Sequence, residues 1–397
     1  MNQYFAPRNV ELYIEKTSWI QYRPTNQWTE SSVIDFNIDG STSYLDISQT
    51  LLYVKLKVIK NDGTDIESGQ KVGLTNAPLH SIFSQVEVKL NHQSVSEIGN
   101  NYAYKAYLDT LFGSQNDWGS QLFIKDHTFG MNDPDPASAN GGLFMRANYT
   151  DGGKEVSLIG RLALDISQQN RPILDEVSLQ LKLWQSSDAF RLMSPTEDFK
   201  VKITDIFLKV AMLTPYASLT KQLKSKPAYY PYMKSSVKAY SIPKGLFSFV
   251  SDDLFQNEVP QHLMVGLVSS NAYHGTYTEN PFNFQHFNCT YAGFSVNGVP
   301  MPMDAFQPNY TSGDVTNVYY SLVRDLINPV TLEEFKAGYT LYRFDVYGDM
   351  KERNLQRGHT RLELKFATAL PEPCTVIVYA KIPALMIMDH KRNVSVE

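Results

Sequence analysis

The segments LQLKL, residues 179–183, and LELKF, residues 362–366, decide the architecture. In each, apolar side chains alternate with polar ones, the mark of a strand with one face buried and one face wetted. The same period of two recurs at Val54, Leu56 and Val58 against Lys55 and Lys57, and at Val86, Val88 and Leu90 against Glu87 and Lys89. Parallel α/β sheets read instead as unbroken apolar runs separated by crossover helices, and these are missing. The expectation is an all-β protein. Its 397 residues suit two domains of about 200 each. A hydrophobic fraction of 43% against 19% charged favours a packed core over disorder, and 12% aromatic residues favour strands.

Outward from these two segments, the halves of the chain carry the same elements in the same order. Ser31-Ser32-Val33, leading to Phe36 and Ile38, reappears as Ser235-Ser236-Val237, leading to Tyr240 and Ile242. The strand at 83–91 answers to 289–297, and each is followed by an amphipathic helical segment, YAYKAYLDTL (102–111) and NVYYSLVRDL (317–326). Leu164-Asp165-Ile166 answers to Phe344-Asp345-Val346, and a final strand at 200–212 to one at 375–387. A tandem duplication follows, with an N-terminal arm over 1–20, a first sandwich over 21–213, a linker over 214–233 and a second sandwich over 234–397. Between helical segment and next strand the first half has about 44 residues (112–155), the second about a dozen. The excess runs through GMNDPDPASANGG (130–142), whose turn-forming residues predict a long surface loop projecting from one end of the first sandwich.

An immunoglobulin domain has ~100 residues and a Cys…Trp…Cys pattern. Each half here is nearly twice that long and lacks the pattern. A helix between strands and long loops favour the jelly roll instead. The expected fold is therefore two tandem jelly-roll β-sandwiches, a double jelly roll, with short helices in its loops. Jelly rolls serve as lectins, cupin enzymes and capsid shells. Two fused blocks that trimerise give six similar blocks, and a hexagonal footprint of that kind tiles a closed shell.

Six stretches carry a resemblance to a known family: LLYVKLKVIKNDGTDI (51–66), HSIFSQVEVKLN (80–91), KEVSLIGRLALDI (154–166), NPFNFQHFN (280–288), GYTLYRFDV (338–346) and RLELKFATALP (361–371). With them the chain resembles the hexon-type double jelly-roll major capsid proteins of Polinton and adintovirus-like double-stranded DNA viruses and their integrated relatives. The resemblance spans both halves and rests on strand segments without a catalytic signature. It implies a viral structural protein that forms homotrimeric capsomers and contacts neighbouring capsomers, penton and minor capsid proteins. It also implies an icosahedral shell around a double-stranded DNA genome, with synthesis in the host cytoplasm, assembly in the nucleus and residence in the virion. The chain is short for that family, whose members often carry larger tower loops.

Enzyme motifs such as HExxH, GxSxG, GxxxxGK[ST] and CxxC are absent, and the eight histidines never pair at metal-ligand spacing. No catalytic residue, metal or cofactor is expected. Asp133 and Asp135, alternating with prolines, read as turn formers and not as a calcium loop. The net charge of -5 argues against wrapping nucleic acid through phosphate neutralisation. Contact with genomic DNA is at most weak, through Lys221, Lys224, Lys226, Lys234 and Lys238 around Tyr229, Tyr230 and Tyr232, or through Lys351, Arg353, Arg357 and Arg361. A solvated linker with docked tyrosines is the plainer reading. Cys289 and Cys374 are too few for a disulfide framework and read as buried thiols. The opening MNQYFAPRNVELYIEK lacks the apolar core of a signal peptide, and no stretch reaches the ~18 apolar residues of a membrane span. The missing leader weighs against the competing function, a tandem jelly-roll carbohydrate-binding protein. The candidate assembly residues are Tyr4, Phe5, Val10, Leu12, Ile14 and Trp19, whose apolar load suits an arm that adds as an edge strand to its own or a neighbouring capsomer. The plain alternative makes 9–17 the first strand of the first sandwich.

Overall fold

A computed structural model describes residues 14–29, 32–113, 118–128, 130–216, 226–324, 330–346 and 357–396. The first half runs through β1 (Ile14–Tyr22), β2 (Ile34–Ile38), β3 (Tyr44–Lys60), β4 (Gly73–Leu74), β5 (Phe83–Leu90), β6 (Gln93–Ile98), β7 (Val156–Arg161), β8 (Leu179–Gln185), β9 (Leu192–Met193) and β10 (Phe199–Pro215). The second runs through β11 (Ala228–Ile242), β12 (Ser248–Asp252), β13 (His262–Ser269), β14 (Cys289–Val296), β15 (Val299–Pro300), β16 (Leu341–Asp345), β17 (Thr360–Phe366), β18 (Cys374–Met388) and β19 (Val394–Val396).

Alternation sets the sheets. Leu179, Leu181 and Leu183 of β8 are buried, and each meets an apolar partner on both flanks: Ile38 and Leu90, Phe36 and Val88, Ile34 and Val86. Such cross-strand ladders are the unit of sheet stability. The first half forms two sheets, β1-β10-β3-β7 and β2-β8-β5-β6; the second forms β11-β18-β13-β16, extended by β19, and β12-β17-β14-β15. The two orders match position for position, with β1 standing where β11 stands, β2 where β12 stands, and so on to β10 and β18. In each half the chain passes back and forth between two four-stranded antiparallel sheets. The fold is a double jelly roll.

The sheet order corrects part of the repeat read from sequence. The Ser-Ser-Val pairing fails, because β2 is the second strand of its sandwich and β11 the first; the counterpart of β11 is β1. Alternation identifies a strand but says nothing about its place in a sheet. Leu164-Asp165-Ile166 lies beyond β7, whereas Phe344 and Asp345 close β16, so these are not equivalent either. The pairing of β8 with β17 holds. With Leu90 and Val296 aligned at the ends of β5 and β14, however, Leu179 corresponds to Thr360, two residues from the match of LQLKL with LELKF. A two-residue slip keeps every side chain on its face, so pattern alone does not detect it.

Element ends also differ from the expected boundaries. Residues 14–20 of the arm read over 1–20 belong to β1, which pairs antiparallel with β10 from Ile14↔Pro215 to Tyr22↔Leu208. Of the linker read over 214–233, residues 214–215 end β10 and 228–233 already belong to β11.

The two cores interlock. The core of the first sandwich takes in Tyr230, Tyr232, Met386 and Met388 from the second half. The core of the second takes in Tyr104, Tyr107, Leu108, Leu111, Phe123 and Met131 from the first. No helix among the described residues is long and apolar enough to cross a membrane.

Candidate functional site

The seam between the sandwiches is built on the helix Tyr102–Phe112. Apolar residues at 104, 107, 108 and 111 follow the spacing of one helical face, and that face is buried in the second core. The Tyr107 ring stacks on Phe282 with centroids 4.2 Å apart and planes 3° from parallel. Tyr104 meets Phe282 edge-on at 5.6 Å and stacks on Tyr273 at 5.9 Å. Both are favoured aromatic geometries.

The same helix brings a charge into the seam. Lys105 is fully buried; its ammonium donates to Asp109 Oδ2 and the Ala163 carbonyl, both at 2.6 Å, and lies 3.2 Å from Asp165 Oδ1. From β18, Tyr379 donates its hydroxyl to Asp109 Oδ1 at 2.5 Å and Lys381 lies 3.3 Å from the same oxygen. From β11, the Ser235 amide donates to Asp165 Oδ2 at 2.8 Å. Burial alone would raise the Asp109 carboxyl, but the ammonium groups of Lys105 and Lys381 outweigh it and hold the group well below the usual carboxylate range. Two halves are thus tied by charge-assisted bonds out of water, where losing one partner is costly.

The stretch read as a projecting loop is the second clasp. Its helix Gly141–Thr150 starts at Asn140, whose side chain accepts from the Leu143 amide. Gly142 packs so closely that an added Cβ would stand 2.4 Å from the Lys125 carbonyl oxygen. Arg146 is fully buried and donates to the Leu74 carbonyl at 2.8 Å, the Ile124 carbonyl at 2.6 Å and Asp126 Oδ1 at 2.5 Å. The second half supplies the rest: Asn280 Nδ2 donates to Asp126 Oδ2 at 3.0 Å, and the Tyr339 hydroxyl donates to the Asp126 carbonyl at 3.0 Å. Phe123, Asp126 and Met131 of this insertion therefore pack against the second sandwich, while the helix Gly141–Thr150 packs on β4 of the first half and exposes Phe144, Met145 and Tyr149. Its composition reported the turns correctly, including Asp135, which pairs with Lys71 at 2.5 Å, but nothing in it reported Arg146 finding Asp126.

Of the candidate assembly residues, Tyr4, Phe5, Val10 and Leu12 lie outside the described residues. Ile14 packs on the first core, and Trp19 is 44% exposed on β1, with the Lys209 ammonium 5.3 Å from its ring centroid. β1 ends its sheet, so one side of its backbone carries no strand among the described residues. Of the basic clusters, Lys221, Lys224, Lys351 and Arg353 lie outside the described residues. Lys234 pairs with Glu258 at 2.9 Å, Arg361 with Asp252 at 3.5 Å, and the Tyr230 and Tyr232 rings are buried in the first core. That arrangement fits docked tyrosines better than a stacking platform. Cys289 and Cys374 are buried, and burial pushes their thiols up to about 11 and about 12. Among the described residues no three histidine, cysteine or acidic side chains gather as a metal site.

No family model matches the chain. The uncharacterized protein F54H12.2 of Caenorhabditis elegans is 24% identical over 419 residues, spanning 97% of this chain and 98% of that protein. Solved structures agree along nearly the whole length. A chain of the Sputnik virophage aligns with a TM-score of 0.69 at 11% identity, covering 97% of this chain and 89% of its own. The Faustovirus major capsid protein aligns at 0.60 and 9% identity, over 97% and 92%. The mavirus major capsid protein aligns at 0.57 and 11%, over 96% and 90%. The structural neighbours are double jelly-roll capsid proteins. At these identities the likeness establishes the fold, and it does so along both sandwiches.

Proposed function

We propose that this chain is a major capsid protein, one that trimerises into pseudo-hexagonal capsomers and tiles an icosahedral shell around a double-stranded DNA genome. The observation that carries this reading is the tandem order of sheets, the same eight-strand plan twice, locked by a seam of buried aromatics and charge-assisted bonds that cross between the halves. A rigid two-block unit is what threefold assembly needs to present six similar blocks. Likeness to virophage and Faustovirus capsid chains along more than nine-tenths of this chain supports it. The work is structural: apolar and polar surface buried between copies, which in obligate assemblies exceeds roughly 2,000 Å². Residence in a virion, membership of the Polinton and adintovirus group, nuclear assembly, and contacts with penton and minor capsid proteins belong to the same proposal. The edge strand β1 and Trp19 are its assembly candidates. Light scattering on the purified chain, followed by negative-stain microscopy, tests it: trimers with hexagonal outlines support the reading, and a monomer at every attainable concentration refutes it.

A further inference from the structure

We propose that a cleft beside the seam is a binding site for a small organic anion. The cleft encloses about 540 Å³, a size that suits small-molecule ligands, and it lies where such sites concentrate, between two domains. Part of its lining is apolar and buried: Leu108, Leu162 and Leu164 come from the first half and Leu322 from the second, and none is more than 6% exposed. Cations complete the lining. Arg161 ends β7 and is exposed, while Arg343 of β16 and Lys381 of β18 are partly exposed. Asp109, the carboxylate in the wall, pairs with Lys105 and Lys381 and accepts from Tyr379, so it offsets charge that Lys381 brings. Lys381 also reaches Gln168 at 3.2 Å, and Arg343 is steadied by Asp345 at 3.2 Å. Arg161 has no ion pair and no side-chain hydrogen bond among the described residues.

Arg161, with no carboxylate partner among the described residues, beside the paired Arg343 and Lys381 and an apolar floor, matches a ligand with a carboxylate or phosphate head and a compact apolar body. The head takes charge-assisted hydrogen bonds from the guanidinium groups, and the body displaces water from the leucines. Because both halves form the wall, the occupant braces the seam. This site belongs to a single chain and does not depend on the assembly reading.

Calorimetric titration of the full chain at low salt tests the inference, with octanoate, octyl phosphate and inorganic phosphate as probes. Octanoate and octyl phosphate share one apolar body and so separate a carboxylate head from a phosphate head, and inorganic phosphate lacks the body. At least one organic anion is expected to saturate a single site, about tenfold or more tighter than inorganic phosphate. Arg161→Gln is expected to weaken it by about tenfold, the loss of one charge-assisted bond, with the melting temperature of the free protein unchanged and Arg161→Lys restoring part of the affinity. The proposal is overturned if neither organic probe saturates below about 1 mM, if Arg161→Gln binds as well as the parent, or if all three probes bind alike.

Discussion

Replacing Phe282 by alanine asks whether the two sandwiches fold as one unit. The residue belongs to the second half and is fully buried, stacked on Tyr107 at 4.2 Å and flanked edge-on by Tyr104 at 5.6 Å and Phe190 at 6.0 Å. Removing a buried phenylalanine ring costs about 3–5 kcal/mol. Each favourable ring pair adds about 0.5–1.5 kcal/mol beyond area, so the upper part of that range, about 4–5 kcal/mol, is expected. Separate reporters exist for the two halves. Trp28 packs on the first core, and Cys289 and Cys374 are buried in the second. Trp118 leans on the second core and is removed by Trp118→Phe in both proteins. In a urea titration, tryptophan fluorescence then follows the first sandwich and thiol labelling the second. If the interlocked cores are one cooperative structure, Phe282→Ala shifts both transitions to the same lower midpoint. A shifted thiol transition with an unmoved fluorescence transition would refute the reasoning, since the second half would be unfolding alone.

Arg146→Met leaves Asp126 buried without its cation and is expected to cost about 3–5 kcal/mol, read as a lowered urea midpoint; Asp126→Asn in the same chain should recover part of that loss. Asp109 has a folded pKa below its unfolded value of about 3.9. The stability it contributes is therefore complete above that value and drains away as acid titrates the folded carboxylate. Asp109→Asn should be less stable than the parent at pH 7 and show a shallower loss of stability below pH ~4, measured by melting temperature across pH. Removing residues 1–13, which precede β1, should leave the melting temperature within a few degrees while shell formation, scored by microscopy, fails. Removing 1–22 strips β1 from β10 and should lower the melting temperature as well.

The strands were legible because one wetted and one buried face leave a period of two, as at Leu179, Leu181 and Leu183. Their duplication was legible because β5, β8 and β10 and the helix after β6 recur in order. Their place in the sheets was not, and the shared Ser-Ser-Val drew β2 toward β11 when the true counterpart was β1, whose sequence offers no such match. The seam was half legible. YAYKAYLDTL reads as an amphipathic helix, but a helical face names no partner, and Tyr107 meets Phe282 only through the tertiary fold. The insertion was legible only as a surface stretch rich in turns, because the contacts that fix its inner side come from Arg146, Asp126 and Asn280, far apart in sequence and without periodicity.

The interlocked cores also impose a schedule. When the ribosome has finished the helix Tyr102–Phe112, about 170 residues remain before Phe282 is made, a wait of about 9 to 34 s at ordinary rates of synthesis. Through that interval the first sandwich has neither the ring that covers Tyr107 nor the lysine of β18 that helps hold Asp109. Its nascent form offers a sticky aromatic face for as long as that interval lasts. A ribosome-bound chaperone that shields this face until the second sandwich emerges would raise the yield of assembled protein without any contact in the finished fold.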